Sequence, residues 1–270
     1  MAIPKTSILV VAEAHDGAGS ALTRELLGLA RDLAGSGEVA ALLIASGAQA
    51  CPDLIAHGAD RVYLCEQEGG DEYEGERWLP QAQRVAREAA PLAIFAGHTP
   101  AGADLAPRLA FRLDSAVATG CVGVTAGDGK FLFTRACYGG NLRETISIES
   151  APAVATIRAG VGIARVDPAR RGEIVRNAAE GVTSRTRVVA RVRELSAATS
   201  LEDARVIVAG GRGLEGPDGF RVLEDLAQVL GAVVGSSRVP CDLGWCPHSW
   251  QIGLTGKTVT PELYFAVGIS

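Results

Sequence analysis

Long apolar runs are missing from this sequence. Its apolar stretches, such as Ile8 to Ala12 and Arg205 to Ala209, have the length of strands. None nears the ~20 residues that cross a bilayer, so no membrane insertion is expected. Met1 to Lys5 lead straight into a strand without a signal-peptide pattern, and a cytoplasmic location is expected. Aromatic residues are scarce at 5%, too few for a base-stacking surface. A basic excess is also absent. Lys+Arg total 26 against 31 Asp+Glu, a net charge of −5, which argues against nucleic acid as a partner. The six cysteines (Cys51, Cys65, Cys121, Cys137, Cys241 and Cys246) include no Cys-x-x-Cys, and His15, His57, His98 and His248 do not stand at zinc-finger spacing. No metal site is expected. Cys241 and Cys246 are the one close pair, read as small buried hydrophobes. No Ser-His-Asp or Cys-His set can be assembled. The acidic stretch Glu66 to Glu76 lies between elements and reads as a solvated loop.

What is present is a foldable α/β pattern. The 270 residues are 47% hydrophobic, enough for one large domain or two small ones. Ser7 to Glu13 is a continuous apolar run, as befits a strand buried on both faces. Ser20 to Ala34 has helical spacing, with Ser20 as N-cap. Strands at Glu38 to Ala45, Arg61 to Cys65 and Leu92 to Gly97 alternate with helices at Pro52 to His57, 76 to 90 and Asp104 to Leu113. Repeated β-α-β units imply a parallel sheet. Between Ala116 and Ile157 four strands follow without helices, which suggests an antiparallel extension of that sheet. Residues 165 to 187 are Arg-rich and read as a connector. A second α/β unit then begins with strand Arg205 to Ala209, helix Asp218 to Leu230, and strands at Ala232 to Gly235 and Glu262 to Gly268. The division expected is an N-terminal α/β domain with connector, 1–190, and a Rossmann-like domain, 191–270.

Candidate chemistry gathers in that second part. Gly211-Arg-Gly-Leu-Glu-Gly216 matches G-x-G-x-x-G between a strand and a helix. Such a loop offers free backbone N–H groups and a helix N-terminus to phosphate. An NAD site wants an acid ~20 residues on, and Gly231 to Gly235 holds none, so simple dehydrogenase chemistry is disfavoured. Arg212, and Ser236-Ser237-Arg238 after the next strand, place cations and hydroxyls at strand carboxyl ends, where open α/β sheets bind ligands. Gly256-Lys-Thr258 is not a phosphate-binding P-loop, because Gln251 stands where its first glycine belongs. Trp245 and Trp250 flank Pro247-His248 and read as packing residues.

Five segments recur together: Gly210 to Leu214, Gly235-Ser-Ser-Arg238, Asp242-Leu-Gly-Trp245, Gln251 to Lys257, and Pro261 to Ser270. With Val10 to Glu13, Asp104 to Arg108 and Tyr138-Gly-Gly-Asn141, they resemble the electron transfer flavoprotein alpha subunit family, which includes the nitrogen-fixation-associated FixB proteins. The resemblance implies a two-domain α/β electron carrier, not a classical enzyme, whose second domain holds FAD. It implies a heterodimer with a beta subunit, dehydrogenase donors, and a quinone reductase or other redox acceptor. By motif, Arg212 and Ser237 resemble FAD contacts, and Arg238 the arginine beside the flavin ring. Gln251, Ile252, Gly253, Leu254 and Thr255 resemble the loop along that ring, with the Thr255 hydroxyl near N5. Ser270 resembles the first residue of a segment at the ribityl and pyrophosphate. A fixed positive charge near the ring favours an anionic, reduced flavin, so Arg238 and Thr255 are the residues expected to act on the chemistry. Leu254 stands where many members have glutamine. Family members also continue past the position of Ser270, so the FAD-binding domain is expected to be incomplete relative to the family. Two other readings remain open here: a cofactor-depleted scaffold for a partner, and a nucleotide-dependent enzyme on the same fold.

Overall fold

A computed structural model describes residues 7–127, 130–178, 184–186, 189, 201, 204–253 and 255–269. The chain divides into two compact units, Met1–Arg187 and Val188–Ser270.

The first unit opens with β1 (Ile8–Ala12), buried at every residue. A short ladder, β2 (Ala14–His15) with β3 (Ala18–Gly19), leads to α1 (Ala21–Ala34). The Ser20 hydroxyl accepts from the Thr23 amide and caps that helix. Then come β4 (Val39–Ala45), α2 (Cys51–Ala56), β5 (Arg61–Glu66), α3 (Gly75–Ala89), β6 (Ala93–Gly97) and α4 (Pro100–Arg112). β7 (Val117–Gly127), β8 (Lys130–Cys137), β9 (Leu142–Ser147), β10 (Ala153–Ile157) and β11 (Glu173–Ala178) complete the unit.

Apart from the β2–β3 ladder, the described strands of this unit form one sheet in the order β11-β5-β4-β1-β6-β10-β7-β8-β9. Period-two geometry divides β1 between two cores. Ile8, Val10 and Ala12 join Leu26, Leu27 and Ala30 of α1 on one face. Leu9 and Val11 join Trp78, Val85, Leu105 and Leu109 of α3 and α4 on the other.

Three sequence expectations need correction. The antiparallel extension is confined to β7-β8 and β8-β9. β10 instead returns to lie parallel between β6 and β7, where its five residues are all buried. The connector is also not structureless. Glu173–Ala178 pairs in parallel with β5 at the sheet edge. An edge strand has one covered side and needs no continuous apolar run, so its composition hid it. α4 starts at Pro100, four residues before the expected start. Thr99 caps it by accepting from Gly102 N at 3.0 Å, and Pro100 occupies the first turn, where its missing N–H costs nothing.

One half-buried carboxylate clamps this unit. Asp60 Oδ2 accepts from Arg31 Nη1 at 2.7 Å and Val39 N at 2.9 Å, and Oδ1 from Arg170 Nη2 at 2.5 Å. Burial alone raises its pKa, but the Val39 amide and the Arg31 and Arg170 guanidiniums outweigh it and hold it below the usual carboxylate range. A group depressed in the folded state contributes stability above its unfolded pKa of ~3.9 and loses it as pH falls through the folded value. Asp60→Ala is expected to cost about 1 kcal/mol near pH 7, the low end of the range for an orphaned donor, because Asp60 is over a third exposed and solvent screens its ion pairs. The difference from wild type should begin to shrink below pH ~4, where the unfolded-state carboxylate protonates, and be lost at lower pH as the native one does. Urea denaturation at both pH values measures this.

Candidate functional site

The second unit builds its ligand edge from the carboxyl ends of three parallel strands. β12 (Val206–Gly210) lies between β13 (Val233–Ser236) and β14 (Leu263–Val267). α5 (Asp218–Leu230) follows β12 and buries Phe220, Leu223 and Ala227. The short α6 (Arg238–Asp242) follows β13.

Backbone hydrogen bonds lock the loops leaving these strands to one another. Gly211 N donates to Val267 O at 2.8 Å, and Gly213 N to Gly268 O at 2.9 Å. Ser237 N donates to Gly210 O at 2.9 Å. The buried Ser236 hydroxyl stands 3.3 Å from the same carbonyl. Ile252 N donates to Ser236 O at 2.8 Å, which fastens the 251–257 loop beside β13. That loop closes on itself. Lys257 N donates to Gln251 O at 2.8 Å, and Gly253 N to Lys257 O at 3.1 Å. The Gln251 side chain, nearly buried, donates from Nε2 to Thr255 Oγ1 at 2.8 Å. The edge therefore runs without a break from Gly268 through 211–213 and 236–238 to 251–257.

Arg212, Gly213, Glu215, Gly268 and Ile269 line an open depression of about 490 Å³. Of the described residues expected to contact a ligand, Arg212 faces it. Arg238 stands at the start of α6, exposed, with Nε donating to Asp242 Oδ2 at 3.0 Å. Ser237 is the N-cap of α6, and its side chain makes no capping bond. Thr255 accepts from Gln251, which leaves the hydroxyl proton available to donate. Leu254 and Ser270 lie outside the described residues. Trp250 packs against Phe220 with ring centroids 6.0 Å apart, and Trp245 lies on the same apolar cluster; both are packing residues.

The glycine motif works differently from the phosphate cradle expected of it. The amides of Gly211, Gly213, Leu214 and Glu215 all donate within the protein. α5 begins only at Asp218, and that carboxylate already occupies its first turn. A Cβ on Gly211 would sit 2.2 Å from Gly268 O, and one on Gly213 2.9 Å from Gly268 Cα. One on Gly216 would meet nothing within 4 Å. The first two glycines thus permit backbone to cross backbone, and the polar groups left toward a ligand are side chains. Ser236 was read from sequence together with Ser237 and Arg238, whereas Glu215, Gly268 and Ile269 fell within the named segments but were given no role of their own. A glycine closing an apolar strand was the one available signal, and it pointed to Gly268.

The first unit has its own cavity of about 450 Å³ at the carboxyl edge of its sheet. Glu13, Asp71, Glu72, Tyr73, Trp78 and Thr99 are among the residues lining it. Burial raises the Glu13 pKa, against the opposing hydrogen bond from Thr99. Acidic walls oppose a phosphate-bearing ligand, whereas the second unit's edge presents arginines. Among the described residues no group of three or more His, Cys, Asp or Glu is placed to hold a metal, and no helix is long and apolar enough to cross a membrane.

Two α/β units, the second with cationic and hydroxyl side chains gathered along its strand ends, define an α/β protein with a candidate cofactor edge. Comparison with known proteins narrows this. The family described as electron transfer flavoprotein domain matches residues 8–181, and that described as electron transfer flavoprotein FAD-binding domain matches residues 200–270. The chain is 39% identical to the electron transfer flavoprotein subunit alpha of Thermoanaerobacterium thermosaccharolyticum, over 97% of this chain and 82% of that protein. It is 36% identical to the subunit of that name from Bacillus subtilis, with the same coverage. It is 35% identical to protein FixB of Clostridium saccharobutylicum, over 97% of this chain and 81% of that one. The chain belongs to the electron transfer flavoprotein alpha subunit family.

Proposed function

We propose that this chain is the FAD-holding alpha subunit of an electron transfer flavoprotein. It carries electrons from dehydrogenases to a quinone reductase or other acceptor, as a heterodimer with a beta subunit in the cytoplasm. The observation that carries the proposal is the unbroken edge from Gly268 to Thr255, which lies within the segment matched by the FAD-binding domain. The donor chemistry fits the group. Arg212, Ser237, Arg238 and Thr255 offer guanidinium and hydroxyl donors, and FAD presents phosphates, ring carbonyls and ring nitrogens as acceptors. The depression beside Arg212 falls within the 300–1,000 Å³ typical of ligand sites.

Bound FAD supplies the redox chemistry, which these side chains do not offer. The protein's part is to bind, orient and polarise. Arg212 and Ser237 would contact the FAD, and Arg238 would supply positive charge to it. Gln251 donates to Thr255 Oγ1 and so fixes its rotamer, which would leave the Thr255 hydroxyl proton free to donate to the cofactor. Ile252 packs over Gly235 and keeps the loop at the end of β13.

The test is reconstitution of the purified chain with FAD, alone and with a co-expressed beta subunit, followed by visible absorbance. A bound flavin spectrum is expected with the beta subunit; its absence in both preparations overturns the proposal. Arg212→Ala is expected to weaken FAD binding by about 10- to 100-fold, as follows from the ~1.5–3 kcal/mol of a hydrogen bond to a charged group. Calorimetric titration of the apo-protein measures it. An unchanged dissociation constant removes Arg212 from the site.

A further inference from the structure

Two sulfur atoms touch inside the second unit. Cys241 lies in the last turn of α6 and Cys246 five residues on, with their Sγ atoms 3.5 Å apart. Both are free thiols, and both are buried. The turn between them is built to bring them together. Gly244 N donates to Cys241 O at 3.0 Å and Trp245 N to Pro240 O at 2.9 Å. Gly244 itself takes φ +71°, the left-handed region that reverses the chain after a helix. Among the described residues no other cysteine pair makes a sulfur–sulfur contact; Cys65 faces Arg84 and Cys121 faces the Ala118 carbonyl. A disulfide bond is ~2.05 Å long, so closure requires the two sulfurs to approach by about 1.5 Å.

We propose that Cys241 and Cys246 form a redox-active dithiol, closed to an intramolecular disulfide by a low-molecular-weight disulfide and reopened by thiols. Cys246 is the entry point, because it is 9% exposed against 2% for Cys241. Burial, and then the contact with Cys246, push the Cys241 thiol up to about 11, so it reacts second. The Cys246 thiolate attacks one sulfur of the reagent, whose S–S bond breaks and releases one thiolate. Cys241 then gives up its proton and attacks Cys246 Sγ, displacing the second thiolate. Two protein thiols lose two electrons, the reagent disulfide gains them, and the two protons end on the released thiols. α6 also carries Arg238 and its partner Asp242, so the bridge fixes the helix that presents that arginine. This consequence rests on the FAD reading above, whereas the bond itself does not.

The test uses the folded full chain and excess oxidised glutathione, then alkylation in denaturant and trypsin. Cleavage after Arg238 and Lys257 leaves both sulfurs in one peptide, 239–257, which has no other cysteine. Most of that peptide is expected two hydrogens lighter and unalkylated, and doubly alkylated after a dithiol reductant. At equal reagent, urea-unfolded chain should give at least tenfold less of the lighter peptide. The proposal is overturned if the peptide stays doubly alkylated while the more exposed Cys137 takes up glutathione. It is also overturned if glutathione persists on Cys246 with Cys241 still alkylatable, or if folded and unfolded chains close equally. Cys246→Ser must abolish the lighter form, which assigns it to this pair.

Discussion

Gly211→Ala is expected to unfold the second unit and leave the first one folded. The added Cβ would stand 2.2 Å from Gly268 O and 2.7 Å from both Gly268 C and Ile269 Cα. All three are backbone atoms held by the bonds from Gly211 N to Val267 O and Gly213 N to Gly268 O. Overpacking that side chains can absorb costs ~1–3 kcal/mol. Here no side chain can yield, so the cost should exceed that range and consume much of the ~5–15 kcal/mol that holds a domain together. Gly216→Ala, three residues after Gly213 in the same motif, meets nothing within 4 Å and should change stability by less than ~0.5 kcal/mol. Tryptophan fluorescence separates the units, since Trp245 and Trp250 belong to the second and Trp78 to the first. A red-shifted spectrum with the first unit's cooperative unfolding retained is the expected outcome for Gly211→Ala. If both variants match wild type in thermal unfolding, the backbone crossing is not what these glycines are for.

Arg238→Ala is expected to lower the reduction potential of the bound flavin. A positive charge beside the ring favours the reduced, anionic form, and removing it shifts the equilibrium toward the oxidised form. A tenfold shift corresponds to ~1.4 kcal/mol. The Arg238 side chain is 65% exposed and paired with Asp242, so solvent and the carboxylate screen it, and tenfold is the upper bound. Asp242→Asn should act in the opposite direction, because it leaves the guanidinium uncompensated. Redox titration of wild type and both variants, each with its beta subunit, decides the matter. Identical potentials in all three would take Arg238 away from the flavin.

Local structure was legible where one strong signal controlled it. The stripe Phe220, Leu223 and Ala227 fixed the helix Asp218–Leu230 at both ends, and Ser20 announced α1. Long-range placement was not legible. Nothing in Ala153–Ile157 says that it will slip between β6 and β7, since a buried strand reads the same in any central position. Glu173–Ala178 escaped notice because an edge strand is half polar. At the candidate site, the strand ends and their arginines could be read from sequence, but the use of the glycine amides could not. That depends on Gly268, more than fifty positions from Gly211, and on which carbonyls it brings within reach. The thiol contact was hidden for a similar reason. Cys241 and Cys246 are close in sequence, but only the left-handed turn at Gly244 sets one sulfur against the other.

The place of β14 in the second sheet also orders events on the ribosome. β12 pairs with β13 across 26 residues, as Ile207 meets Val233, but with β14 only across 57, as Val206 meets Leu263. Newly made chain thus holds β12 and β13 as a two-stranded ribbon, too small to be stable alone, with one side of β12 unpaired. That open flank is a template for any passing strand. It stays open until Leu263–Val267 have left the exit tunnel. A pause in translation that comes after β13 has emerged but while Leu263–Val267 are still inside the tunnel should prolong this exposure and favour aggregation.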